Sequence, residues 1–141
     1  MGGVSVASTT TTDLKSQSTA ISNGIASLHR EHYGRGADRV RTTMHADFAM
    51  CTLEDCYTVV EKKMIDEGAF GRVRETRTMF QDWMRPSFVA IVEEATGRKV
   101  RAFFSQVTRD PDMAVELFFF EPRESSSDGE YSDLPEARSG L

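Results

Sequence analysis

Glu31-His32-Tyr33-Gly34-Arg35-Gly36-Ala37-Asp38-Arg39-Val40-Arg41 is echoed later in the chain by Glu94-Ala95-Thr96-Gly97-Arg98-Lys99-Val100-Arg101. Each copy leaves a helical pattern through Gly-Arg and enters a strand at Val-Arg. The first copy holds three extra residues before its Val-Arg. A repeat of this kind makes the fold two helix–strand–strand units. It specifies an architecture and carries no chemistry of its own.

Working outward from the first copy, Leu14, Ser18, Ile21, Ile25, Leu28 and His32 recur at helical spacing, so an amphipathic helix precedes it. Gly34 stops that helix, because the left-handed conformation needed there suits glycine. Residues 39–45 alternate Val40, Thr42 and Met44 with polar neighbours, the mark of a half-buried strand. Ala46-Asp47 turns the chain into a second strand, Phe48 to Leu53. Thr58-Val59-Val60-Glu61 has the spacing of a capping box and starts a short helix, with Val60 and Met64 facing inward and a stop near Gly68.

A third helical stretch runs from about Phe70 to Ala95 on a stripe of Val73, Phe80, Trp83, Met84, Phe88, Ile91, Val92 and Ala95. Pro86 lies within it, and a kink or break is expected one turn earlier. After the second Gly-Arg, at Gly97, residues 99–108 form the third strand. Arg109-Asp110-Pro111-Asp112 is the turn, and Met113 to Phe120 the fourth strand. The expected fold is α+β and two-layered: a four-stranded, mainly antiparallel sheet with helices on one face, in the order α-β-β-α-α-β-β.

Residues 1–12, rich in Ser, Thr and Gly, read as a disordered arm, residues 13–121 as a single domain, and residues 122–141 as a disordered acidic tail. From Glu121 onward six acids face only two bases, Arg123 and Arg138, so the body that remains is close to neutral. A nucleic-acid binder would need a strongly basic domain, and none is expected here. No secretory signal is visible, and no apolar run approaches the ~20 residues that span a bilayer. The expected location is the cytoplasm.

The final hairpin is apolar on both faces near its end. Met113, Val115, Leu117 and Phe119 point one way, and Phe118 and Phe120 the other, with Phe103 and Val107 beside them. A sheet covered on one side would then show aromatic surface to water, which marks an interface. A homodimer built on Phe103, Phe118 and Phe120 is the expectation.

Groups that carry chemistry are sparse. His29 and His32 are three residues apart, where zinc-protease helices need four, and His32 sits on the apolar stripe. Cys51 and Cys56 read as buried or loop thiols. Gly34-Arg35-Gly36 follows a helix, whereas a phosphate-binding loop precedes one. No catalytic residue, metal or cofactor is expected, and the chain reads as not an enzyme. Two arginine clusters, Arg35, Arg39 and Arg41 and then Arg98, Lys99 and Arg101, are the candidate ligand- or partner-binding residues. Arg77, between Val73 and Phe80, needs a buried acceptor, and Glu61 is the candidate. Gly34, Gly36, Thr58, Glu61, Gly68, Arg77 and Gly97 are thus assigned structural roles.

Taken together, the helix, Gly34-Arg35-Gly36, the strand pair ending near Leu53, Thr58-x-x-Glu61, Gly68, Arg77, Thr96-Gly97-Arg98-Lys99-Val100 and the apolar last strand resemble the MpsC-type domain over about residues 18–121. The chain departs from that pattern at Ala37, Tyr57 and Gln106. The resemblance implies an accessory role beside a membrane complex that handles sodium or inorganic carbon, and with the missing catalytic groups the expectation is a non-enzymatic accessory or regulatory module in peripheral association with it. The alternative from the residues themselves is a small-anion or metabolite sensor that uses the paired arginine clusters.

Overall fold

A computed structural model describes residues 5–123. The chain runs α1 (Ser5–Tyr33), β1 (Arg39–Met44), β2 (Phe48–Glu54), α2 (Val59–Asp66), α3 (Phe70–Thr96), β3 (Val100–Thr108) and β4 (Met113–Phe120). This is the expected order. One boundary differs: α1 begins at Ser5, inside the stretch read as an arm, since neither Pro nor Gly interrupts residues 5–12. Residues 124–141, most of the expected tail, lie outside the described residues.

The sheet is antiparallel throughout, in the order β1-β2-β4-β3. The central ladder pairs Phe48 with Phe119 at one end and Glu54 with Met113 at the other, with Cys51 opposite Glu116 at its middle. This order is the one produced when an α-β-β unit is rotated half a turn about an axis through that middle, perpendicular to the sheet. The repeated sequence is therefore a repeated structure with approximate two-fold symmetry.

Helix ends follow local chemistry. Glu61 N donates to Thr58 Oγ1 (3.1 Å) and Thr58 N to Glu61 Oε1 (2.9 Å), so the capping box is complete. Gly34 and Gly97, the two repeat glycines, both adopt positive φ, 80° and 71°. α3 is helical from end to end, with Pro86 inside it and no break there.

The core lies between one sheet face and the helices. Ile21 and Ile25 of α1, Val73, Phe88 and Val92 of α3, Ala49, Cys51 and Leu53 of β2, and Phe103, Val107, Ala114, Phe118 and Phe120 form one buried cluster. Phe88 of α3 stacks on Phe103 at 5.5 Å, and Phe103 meets Phe118 at 5.0 Å. This corrects the expected interface, because Phe103, Phe118 and Phe120 sit beneath the helices and are 6%, 0% and 3% exposed. The face that no described helix covers carries the other phase: Phe48 and Met50 of β2, Met113, Val115, Leu117 and Phe119 of β4, and Phe104, which is 56% exposed. Val60 also differs from expectation. The cap sets the helix phase, and Val59 and Val60 fall on the outer side of its first turn. Trp83 is exposed as well, although it lies on the stripe's spacing.

Candidate functional site

Arg77 is 2% exposed and organises one end of the molecule. Its Nε and Nη2 donate to Glu61 Oε2 and Oε1 at 2.7 and 2.6 Å, a two-pronged pairing. Nη2 also reaches Cys56 O at 2.9 Å. The guanidinium lies 3.9 Å from the centre of the Tyr33 ring. Burial alone would raise the Glu61 pKa, but the bonds from Arg77 and the Thr58 amide outweigh it and hold the carboxyl below its ordinary range. The same carboxylate caps α2 and clamps α3.

His29 completes this cluster. Its Nε2 is 3.3 Å from Arg77 Nη1 and its Nδ1 is 3.1 Å from Arg35 O. The neutral tautomer protonated on Nδ1 satisfies both contacts, accepting from Arg77 and donating to Arg35 O. Burial first, and Arg77 second, push the His29 pKa down to about 4. Arg35 Nη1 in turn donates to Tyr57 O at 2.6 Å. The helical stripe places His32 inside, whereas His29 is the buried histidine and His32 is exposed. The sequence-assigned Arg35, Thr58, Glu61 and Arg77 thus meet in one network. His29 joins it unforeseen, and only its four-residue step from Ile21 and Ile25 signals it.

A second polar feature crosses the middle of the sheet. Thr42, Cys51, Glu116 and Ser105 are opposite one another on β1, β2, β4 and β3, and they face the helices. Ser22 of α1 bonds Thr42 at 2.8 Å. Glu116 is 2% exposed, and its Oε1 has no hydrogen-bond partner among the described residues, nor do Gln81 Oε1 and Tyr33 Oη. Burial pushes the Glu116 pKa up to about 8, so the folded protein holds this side chain uncharged near neutrality. Burial likewise pushes both cysteine thiols up to about 12, which leaves them protonated and weakly nucleophilic.

A pH-dependent cost follows from Glu116. Its folded pKa lies above the unfolded one, so the folded state keeps a proton that the unfolded chain releases. That term is absent below about pH 4 and lowers stability progressively as pH rises towards about 8. Glu116→Gln is expected to stabilise the fold by on the order of 4 kcal/mol at pH 8 and by almost nothing at pH 4. Urea unfolding at the two pH values measures the difference.

The two arginine clusters do not meet. The symmetry axis sends equivalent positions to opposite ends of the sheet. Arg35 lies near Asp55 and Asp38, at 3.5 and 3.9 Å, and Arg39 near Glu54 at 3.9 Å. Arg98 sits at the other end, where its Nη1 donates to Ala46 O (2.9 Å) and its Nη2 to Glu121 O (3.3 Å). Arg35 and Arg98 share one task, each tying its helix end to a carbonyl beyond the second strand of its own unit. Arg41, Lys99 and Arg101 are exposed. Among the described residues no group of three or more His, Cys, Asp or Glu side chains is placed to hold a metal ion.

A family model described as "Na+-translocating membrane potential-generating system (MpsC)" matches residues 14–122. No curated protein and no solved structure matches the chain.

Proposed function

The chain belongs to the MpsC family, and from that premise we propose that it is a non-enzymatic accessory or regulatory module of a membrane ion-transport system, acting as a homodimer in peripheral association with it. No helix among the described residues is long and apolar enough to cross a membrane, so the reading is of a subunit that acts through contact. The observation that carries it is the uncovered sheet face, where Phe48, Phe119 and Phe104 form a continuous aromatic run with ring centres 5.3 and 5.9 Å apart. The chemistry inside the fold supports the non-enzymatic part. His29 spends both ring nitrogens on structure, and both thiols are held protonated. A working cytoplasmic side is part of the same proposal.

Two measurements test it. Light scattering should give twice the chain mass of 15.8 kDa, and Leu117→Asp, on the uncovered face, should return a folded monomer. A wild-type monomer at micromolar concentration rejects the dimer. In cells lacking the chain, a potential-sensitive dye in sodium medium should report a lowered membrane potential, restored by the wild type and not by Leu117→Asp. An unchanged potential in the deletion rejects the transport role.

A further inference from the structure

The corner of the fold occupied by Arg98 encloses a cleft of about 600 Å³. Its walls come from four separate segments: α1, the turn between β1 and β2, the end of α3, and the chain just past β4. The volume is that of a small-molecule site. Leu14 and Met44 supply apolar wall, and Arg98 and Arg123 supply two guanidinium groups. Asp13 is the one carboxylate of the lining, and among the described residues neither arginine has a carboxylate oxygen within 4.0 Å.

Arg98 is held in place before any ligand arrives. Two of its donors are spent on Ala46 O and Glu121 O, and its guanidinium lies 4.4 Å from the centre of the Phe120 ring. An arginine carries five N–H donors, so three remain for a further acceptor. Desolvation, and then the nearby charge of Arg123, lower the Arg98 pKa, against a smaller opposing pull from Asp47. Two like charges lining one part-apolar cleft are mutually unfavourable, and a bound anion would relieve them.

We propose that this cleft binds a small organic oxyanion, with a phosphate or carboxylate head between Arg98 and Arg123 and a compact apolar body against Leu14 and Met44. Guanidinium groups pair with either head by parallel hydrogen bonds, and the apolar wall favours an organic ligand over a bare inorganic ion. The site is separate from the sheet face of the proposed dimer, and the corresponding Arg35 corner differs in having the carboxylates of Asp38 and Asp55 at 3.9 and 3.5 Å.

Titration calorimetry with phenyl phosphate and benzoate, with inorganic phosphate as the comparison, tests the assignment on the full chain. At least one organic probe should bind with a Kd below about 10 mM, tighter than inorganic phosphate, and weaken as salt is raised. Arg98→Gln and Arg123→Gln should each weaken that probe by about tenfold or more. Arg123 makes no clamp to the fold among the described residues, so its variant stays informative if Arg98→Gln fails to fold. Arg109→Gln, in the exposed β3–β4 turn at the opposite end of the sheet, should leave the Kd unchanged. No binding by any probe, or binding indifferent to Arg123→Gln, overturns the proposal. Phosphate binding as tightly as the organic probes overturns the apolar part of it.

Discussion

Replacing Arg77 with methionine is expected to cost about 3–5 kcal/mol of folding stability, the range seen when one partner of a buried ion pair is removed. Methionine fills much of the same space, so the loss is electrostatic and polar. Glu61 would keep its cap on α2 and lose both bonds from the guanidinium. Cys56 O and His29 Nε2 would lose their donor as well. Leaving such groups buried and unpaired is more costly than never placing them there. Arg77→Lys should fall between, since a single ammonium cannot reproduce the fork. The double change Arg77→Met with Glu61→Gln should recover part of the loss by removing the stranded charge. Urea unfolding of the four proteins measures all of this, and a single-variant cost under about 1 kcal/mol would show that the cluster does not hold the helices together.

Phe118→Ala is the second large effect, about 3–5 kcal/mol, because it opens a cavity in a closed core. Phe118 is 0% exposed and packs on Phe103, which in turn stacks on Phe88 of α3. Its neighbour Phe119 faces the other way, so Phe119→Ala should cost the isolated subunit under about 1 kcal/mol while weakening self-association. The pair of neighbouring phenylalanines therefore separates core from interface. Equal costs for the two would mean that the sheet faces are wrongly assigned.

That assignment is where the sequence is least legible. In Met113–Phe120 both phases of the alternation are apolar, and a period of two cannot choose between them. The inward phase even carries Glu116, so the outward one, Met113, Val115, Leu117 and Phe119, looks the better core. Only the register of β4 against β2 and β3 decides it. The hairpins, the Thr58–Glu61 cap, the two Gly-Arg helix ends and the Arg77–Glu61 pair were legible because each depends on residues close in sequence or on an unmistakable need for a partner. His29 was hidden because its acceptor and donor, Arg35 O and Arg77 Nη1, come from elsewhere in the chain. The cleft beside Arg98 was hidden for the same reason, since no single stretch of residues builds it.

Arg35 and Arg98 hold corresponding places in the two units and have different surroundings. Each still staples its helix end to the chain beyond the sheet, so neither corner can drift freely. Asp38 and Asp55 lie within 4.0 Å of the first, while among the described residues no carboxylate oxygen comes that close to the second. The two-fold arrangement thus repeats one staple at both ends while the charges around it differ, so a corner can change its electrostatics without remaking the scaffold.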